Sequence, residues 1–247
     1  MKKKLLYFSA LTLTLLMACT EAQINAVTKD LNVGGGGTKP PALTNDEVIQ
    51  GLREALSVGT NNSSGMASKV DGFYKNPTHP ELFIPFPPEA QKVKDKMIQL
   101  GFKDRVDKFE MTLNRGAEEA AKGAAPIFLD AIKGMTIGDG FTILKGGDGA
   151  ATQYLKDKTS LALHDKFTPV VKDALSKVEL TKYWKPVIDT YNAIPLVEKQ
   201  NPNLDEYVTQ RATAGLFTLI AAEELKIRKD PIARVSDILK KVFGSVY

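Results

Sequence analysis

Between residues 102 and 131 the residues Phe102, Val106, Phe109, Leu113, Ala117, Ala120, Ala124, Phe128 and Ala131 recur at steps of three and four. With 3.6 residues per turn, that spacing gathers them on one face of an α-helix, and no strand does the same. The middle of the stripe is small: Gly116, Ala117, Ala120, Ala121, Gly123, Ala124 and Ala125. Small side chains let a second helix approach closely, so this segment is expected at the centre of a helical domain. Pro126 must kink or divide it, because proline has no N–H to donate within a helix.

The segments around it read the same way. Thr44-Asn45-Asp46-Glu47 fits a capping box, and Val48, Leu52, Ala55 and Leu56 follow at helical spacing. This first helix is expected to weaken across Gly59–Gly65, where Asn61, Asn62, Ser63 and Ser64 are poor helix formers, and to resume briefly through Val70. Five prolines between 77 and 88 argue for an extended loop whose Leu82, Phe83, Ile84 and Phe86 pack onto the helices. Pro88 suits the first turn of a helix to Leu100, closed by Gly101. A short helix from Asp139 to Lys145 should stop at Gly146-Gly147, with Asp148 capping the next, which Pro169 is expected to bend. Leu180–Ile194 reads as a further helix with Tyr183 and Trp184 at a corner. Asn203 should cap a long helix through Leu216 that is buried on most sides, and Pro231 should start a last one through Val235 and Ile238. The fold class is all-α: one multi-helix, bundle-like domain over residues 44–247, with the helices around Leu113 and Leu216 central.

The N-terminal residues set an address. Lys2, Lys3 and Lys4 precede an apolar run, Leu5–Met17, which is shorter than the ~20 residues a spanning helix needs and suits a signal peptide. Leu16-Met17-Ala18-Cys19 then resembles the lipobox of bacterial lipoproteins. The resemblance implies cleavage after Ala18, so that residues 1–18 are a signal peptide, and a diacylglyceryl thioether on Cys19. Thr20 in place of an aspartate points to the outer membrane, with the domain facing the periplasm. An ordinary buried thiol or cleavage elsewhere are the plainer alternatives. Residues 19–43, with Gly34–Gly37 followed by Thr38, Lys39, Pro40 and Pro41, have the composition of a flexible tether. The membrane, through this lipid, is the first expected partner.

Composition removes other classes. The formal charge of +4 includes three lysines of the signal peptide; without them 30 basic side chains face 29 acidic ones. Nothing in that balance suggests nucleic acid. The single cysteine and two histidines, His79 and His164, supply neither a disulfide framework nor a metal cluster, and no cofactor is expected.

Asn114-Arg115-Gly116-Ala117-Glu118-Glu119-Ala120-Ala121, Gly146-Gly147-Asp148 with Ala151-Thr152-Gln153-Tyr154, Asp205-Glu206-Tyr207-Val208-Thr209 and Gly215–Ile220 resemble a family of bacterial envelope proteins, domain of unknown function 4197. The resemblance spans about residues 43–245. It implies a helical domain in a Gram-negative envelope, and it supplies no reaction.

Two constellations deserve weighing. Glu110, Asn114 and Glu118 share a helical face, as a carboxylate pair or an oxygen-ligand site would; an ordinary polar face with an Arg115–Glu119 pair is preferred. The Gly146–Gly149 turn before Thr152 presents backbone donors suited to an anion, although a helix stop and cap explain the same residues. His164 gains no dyad from adjacent Asp165, and His79 reads as a solvated loop residue. Binding to an envelope protein or an apolar ligand between helices is therefore favoured over catalysis, with an envelope hydrolase using the carboxylates near Glu118 as the alternative. If a ligand site exists, the expected residues are Asn114, Arg115, Asp148, Thr152 and Tyr154.

Overall fold

Thr44 opens the first helix as a capping box: its Oγ1 accepts from Glu47 N at 3.2 Å, while its own N–H donates to Glu47 Oε2 at 2.9 Å. The structure is a computed structural model that describes residues 44–177, 179–193, 195–196, 199 and 203–244. These belong to the compact unit Leu43–Tyr247. Residues 1–43, on which the expected signal peptide, Cys19 lipidation and tether fall, lie outside the described residues, as does the side chain of Tyr183.

All regular structure among the described residues is helical. The helices are α1 (Asn45–Ala67), α2 (Gln91–Gln99), α3 (Lys103–Ala121), α4 (Ala124–Lys133), α5 (Ile137–Lys145), α6 (Ala150–Ser176), α7 (Glu179–Asn192), α8 (Leu204–Lys229) and α9 (Asp237–Gly244). The main packing is α3 on α6 and α6 on α8, with α1 against α8 and α4, and α9 against α1. The helices holding Leu113 and Leu216, both fully buried, are central, and α6 joins them.

The small stripe does what its composition dictates. A Cβ added at Gly116 would sit 3.5 Å from Ala174 Cβ and 4.0 Å from Val171 Cα, so α3 and α6 meet almost backbone to backbone. The stripe divides after Ala121, and Pro126 falls in the first turn of α4, where its missing donor costs no helical bond. Phe102 leaves the stripe: it flanks α3 and is 43% exposed.

Three expectations are corrected. α1 runs unbroken through Gly59–Gly65 to Ala67, and Val70 lies beyond it, exposed. Thr60, Ser63 and Ser64 are buried, Ser63 Oγ donates to Gly59 O at 2.7 Å, and Asn62 Nδ2 reaches Glu223 on α8 at 2.7 Å. Helix-on-helix packing thus outweighs propensities of a few tenths of a kcal/mol per residue, about the size seen for such polar residues. Helix α6 is capped by Gly149 in the left-handed region (φ 87°) with no side-chain cap, so Asp148 does not serve there; it pairs with Lys229 at 2.7 Å. Pro231 starts only a short 3-10 turn to Ala233; α9 begins at Asp237, and Val235 is 69% exposed. Asn203, by contrast, caps α8 as read, its Oδ1 accepting from Glu206 N at 3.2 Å.

Candidate functional site

The expected site residues are held by contacts that run in different directions. On α3 the polar face is buried and binds the chain's own loop. Glu118 Oε1 accepts from the N–H groups of Phe73 and Tyr74, each at 3.1 Å. Asn114 Oδ1 accepts from Ile84 N at 2.8 Å, and its Nδ2 donates to Ile84 O at 2.9 Å. Glu110 Oε1 accepts from Phe86 N at 2.8 Å and from Lys94 Nζ at 2.6 Å. Four helical residues rise about 6 Å and two extended residues about 6.6 Å, so Glu110 and Asn114, four apart on α3, keep step with the alternate loop amides of Phe86 and Ile84. While Glu118 holds the turns after α1, these two rungs form a ladder that substitutes for a partner strand and satisfies buried amides of the proline-rich segment. Beneath it, Phe86 and Phe109 pack against Trp184 of α7, with ring centroids 5.8 and 6.1 Å from the indole.

Arg115 does not pair with Glu119. Its guanidinium joins Glu118 Oε2 at 2.5 Å and Asp71 Oδ1 at 2.7 Å, while Glu119 takes Lys122. Asp71 stands in the left-handed region (φ 66°) in the turn after α1, and Arg115 fastens that turn to α3.

Just after the glycine turn, the first amides of α6 act as backbone donors, and the chain supplies their anion. Glu224 of α8 accepts from Ala151 N at 3.0 Å, Thr152 N at 2.9 Å and Thr152 Oγ1 at 2.7 Å. A carboxylate at a helix N-terminus is favoured by the unpaired amides and the helix dipole. Arg228, one turn further along α8, donates from Nε to Glu224 Oε1 at 2.9 Å and reaches Ile143 O of α5 at 2.8 Å. Both side chains are buried, at 6% and 1% exposure, so three helix ends are tied by one desolvated pair. A cavity of about 30 Å³ beside them has room for about one water. Tyr154 faces elsewhere: its hydroxyl donates to Ala131 O at 3.3 Å, and burial raises its pKa.

A larger concavity lies between α6 and α8. This groove, about 620 Å³, is lined by Thr152, Gln153, Lys156, Ser160 and His164 of α6 and by Glu206, Thr209, Gln210, Thr213, Ala214, Phe217 and Thr218 of α8, among others. Of the five expected residues, Thr152 alone lines it. At one end His164 Nε2 meets Glu206 Oε2 at 2.8 Å, with Asp165 at 3.5 Å from Nδ1. The Glu206 contact, and then Asp165, raise the histidine pKa, and His164 in turn lowers that of Glu206. Midway, Thr209 is fully buried, yet its Oγ1 has no hydrogen-bond partner, and neither has that of Thr213 one turn on. A helical threonine ordinarily donates to the carbonyl four residues back, as Thr159 does to Leu155 O at 2.6 Å. The remaining buried side-chain atoms without partners among the described residues, Arg53 Nε, Ser64 Oγ and Trp184 Nε1, do not line the groove.

Sequence reasoning missed this groove because its partners are distant in sequence: 42 residues separate His164 from Glu206. Thr152 among the expected residues, and the family-like segments Ala151–Tyr154, Asp205–Thr209 and Gly215–Ile220, each touched it without showing that they converge. Among the described residues, no group of three or more His, Cys, Asp or Glu converges to hold a metal, and no helix is long and apolar enough to cross a membrane.

Neither the curated proteins nor the solved structures contain a match to the chain. The family model of a protein of unknown function, DUF4197, matches residues 42–244, which include every helix described above. The chain belongs to that family.

Proposed function

We propose that this protein is an outer-membrane lipoprotein, attached through Cys19 and facing the periplasm, whose helical domain binds a hydroxyl-bearing ligand, an oligosaccharide, in the α6–α8 groove. One observation carries the binding reading: the fully buried Thr209 has an unpartnered hydroxyl in a groove that also holds the unpartnered hydroxyl of Thr213. A buried hydroxyl without a partner costs about 1–3 kcal/mol, and a hydroxyl-bearing ligand offsets that cost by parting the side chains that cover the two oxygens. The rest of the lining suits a sugar chain. Gln153 and Gln210 offer amides, Ser160 and Thr218 hydroxyls, and Phe217 with Ala214 an apolar surface for the ring faces. His164 and Glu206 bond to each other, which leaves Lys156 as the remaining charged side chain of the lining.

Catalysis draws less support. The acids that a hydrolase would use, Glu110 and Glu118, accept hydrogen bonds from loop amides and pair with Lys94 and Arg115. The reading is tested by calorimetric titration of the protein with chito-oligosaccharides. Binding that is lost in Thr209→Val and Thr213→Val, with the helical signal retained, is expected. Equal binding by the variants, or none by the unaltered protein, refutes the groove assignment. Attachment is tested separately: Cys19→Ala should abolish labelled fatty-acid uptake and release the protein from membranes.

A further inference from the structure

The elbow between α2 and α3 leaves apolar side chains uncovered. α2 contains no buried residue, and Val93, Ile98, Leu100 and Phe102 are 39%, 38%, 60% and 43% exposed. Leu100 and Phe102 flank Gly101, whose positive φ of 85° makes the turn between the helices. A shallow groove of about 490 Å³ here is lined by three cations, Lys92, Lys96 and Arg105, by four apolar side chains, and by no acid. Of the acids on these two helices, Asp107 pairs with Lys103 and Glu110 with Lys94, while Asp95 and Asp104 do not line the groove. The Arg105 guanidinium lies over the Phe102 ring, 5.3 Å from its centroid, so charge and apolar surface are joined in one patch.

We infer that this elbow docks on an anionic phospholipid surface. Apolar side chains on a short helix enter the boundary between headgroups and acyl chains, while long cationic side chains extend to the phosphates. Charge decides between the possible occupants. A second copy of the chain, docked face to face, would set three cations against three with no acid between them. The chain's own residues 20–43 carry two acids, Glu21 and Asp30, and two lysines, so they offer no complementary charge. An anionic lipid surface matches both halves of the patch. The inference depends neither on the α6–α8 groove nor on acylation of Cys19.

The test uses residues 19–247 with Cys19→Ser, so that no acyl group contributes, and vesicles of phosphatidylcholine with or without phosphatidylglycerol. Co-sedimentation should be at least tenfold stronger with phosphatidylglycerol and should weaken with added salt. Lys92→Glu with Lys96→Glu should lower partitioning about 30-fold or more, given the usual contribution of each lysine near an anionic surface. Leu100→Ser with Phe102→Ser should lower it on both vesicle types; all four residues are exposed, and circular dichroism checks that the helices persist. In the otherwise unaltered chain, Phe102→Trp should shift its emission to the blue on vesicle addition. No preference for phosphatidylglycerol, or partitioning unchanged by both pairs of substitutions, overturns the inference. So does a dimer in sedimentation equilibrium that disappears with Leu100→Ser and Phe102→Ser, which would name a second copy as the occupant.

Discussion

Replacing Thr209 by valine should make the protein more stable. Valine has nearly the shape of threonine, and the two have similar helix propensities, so the change removes a hydroxyl and little else. Thr209 is fully buried and its Oγ1 has no partner, so the unliganded protein carries the desolvation cost of that group, about 1–3 kcal/mol. Allowing for partial relaxation, Thr209→Val should raise stability by about 1–1.5 kcal/mol; at about 2–4 °C per kcal/mol for a domain of this size, the melting temperature should rise about 2–6 °C. Thr159 supplies the control. It is 1% exposed on α6 and donates to Leu155 O at 2.6 Å. Thr159→Val removes a made bond and should lower stability by about 1 kcal/mol. Two substitutions of the same chemistry in two buried helices should therefore move the melting curve in opposite directions, read by calorimetry or by helical ellipticity. If Thr209→Val destabilises as Thr159→Val does, the Thr209 hydroxyl is satisfied in the free protein, and the reason for assigning a ligand to the groove disappears.

Glu224→Ala should cost about 3–5 kcal/mol, because it removes the carboxylate that faces buried Arg228 and the first amides of α6; denaturant unfolding should show the loss, and adding Arg228→Met should recover part of it. The His164–Glu206 pair predicts a modest pH dependence. A raised histidine pKa contributes stability fully below its ordinary value of 6.5 and loses it as pH rises through the raised value. A lowered Glu206 pKa contributes above its ordinary 4.5 and is lost as pH falls through the lowered value, so the pair stabilises most between about 4.5 and 6.5. With His164 41% exposed, solvent screening keeps the amplitude below about 1 kcal/mol; melting temperature against pH should flatten accordingly in His164→Ala, and an unchanged profile would remove the pair from the account.

The helical class, the break before Pro126, the cap at Asn203 and the close approach at Gly116 were all legible in the sequence, because each depends on residues within a turn or two of one another. Period, proline chemistry and side-chain size act locally, and no tertiary partner is needed to read them. What failed were judgements that depend on what a residue meets across the fold. Asn61–Ser64 stay helical because Ser63 and Ser64 are buried and Asn62 reaches Glu223 of α8. Arg115 chooses Glu118 and Asp71 over Glu119 because the turn after α1 is brought alongside α3. The glycine turn reads as able to hold an anion, with a helix stop and cap preferred; the amides that do hold one are those of Ala151 and Thr152, and the anion is Glu224, more than 70 residues away. Likewise, the spacing of Glu110, Asn114 and Glu118 placed them on one face, yet only the returning loop decided that the face is buried. Local order follows from chain-neighbour geometry; the groove, the ladder and the Glu224–Arg228 pair follow from which helices pack together, since desolvation and pairing are properties of the assembled fold.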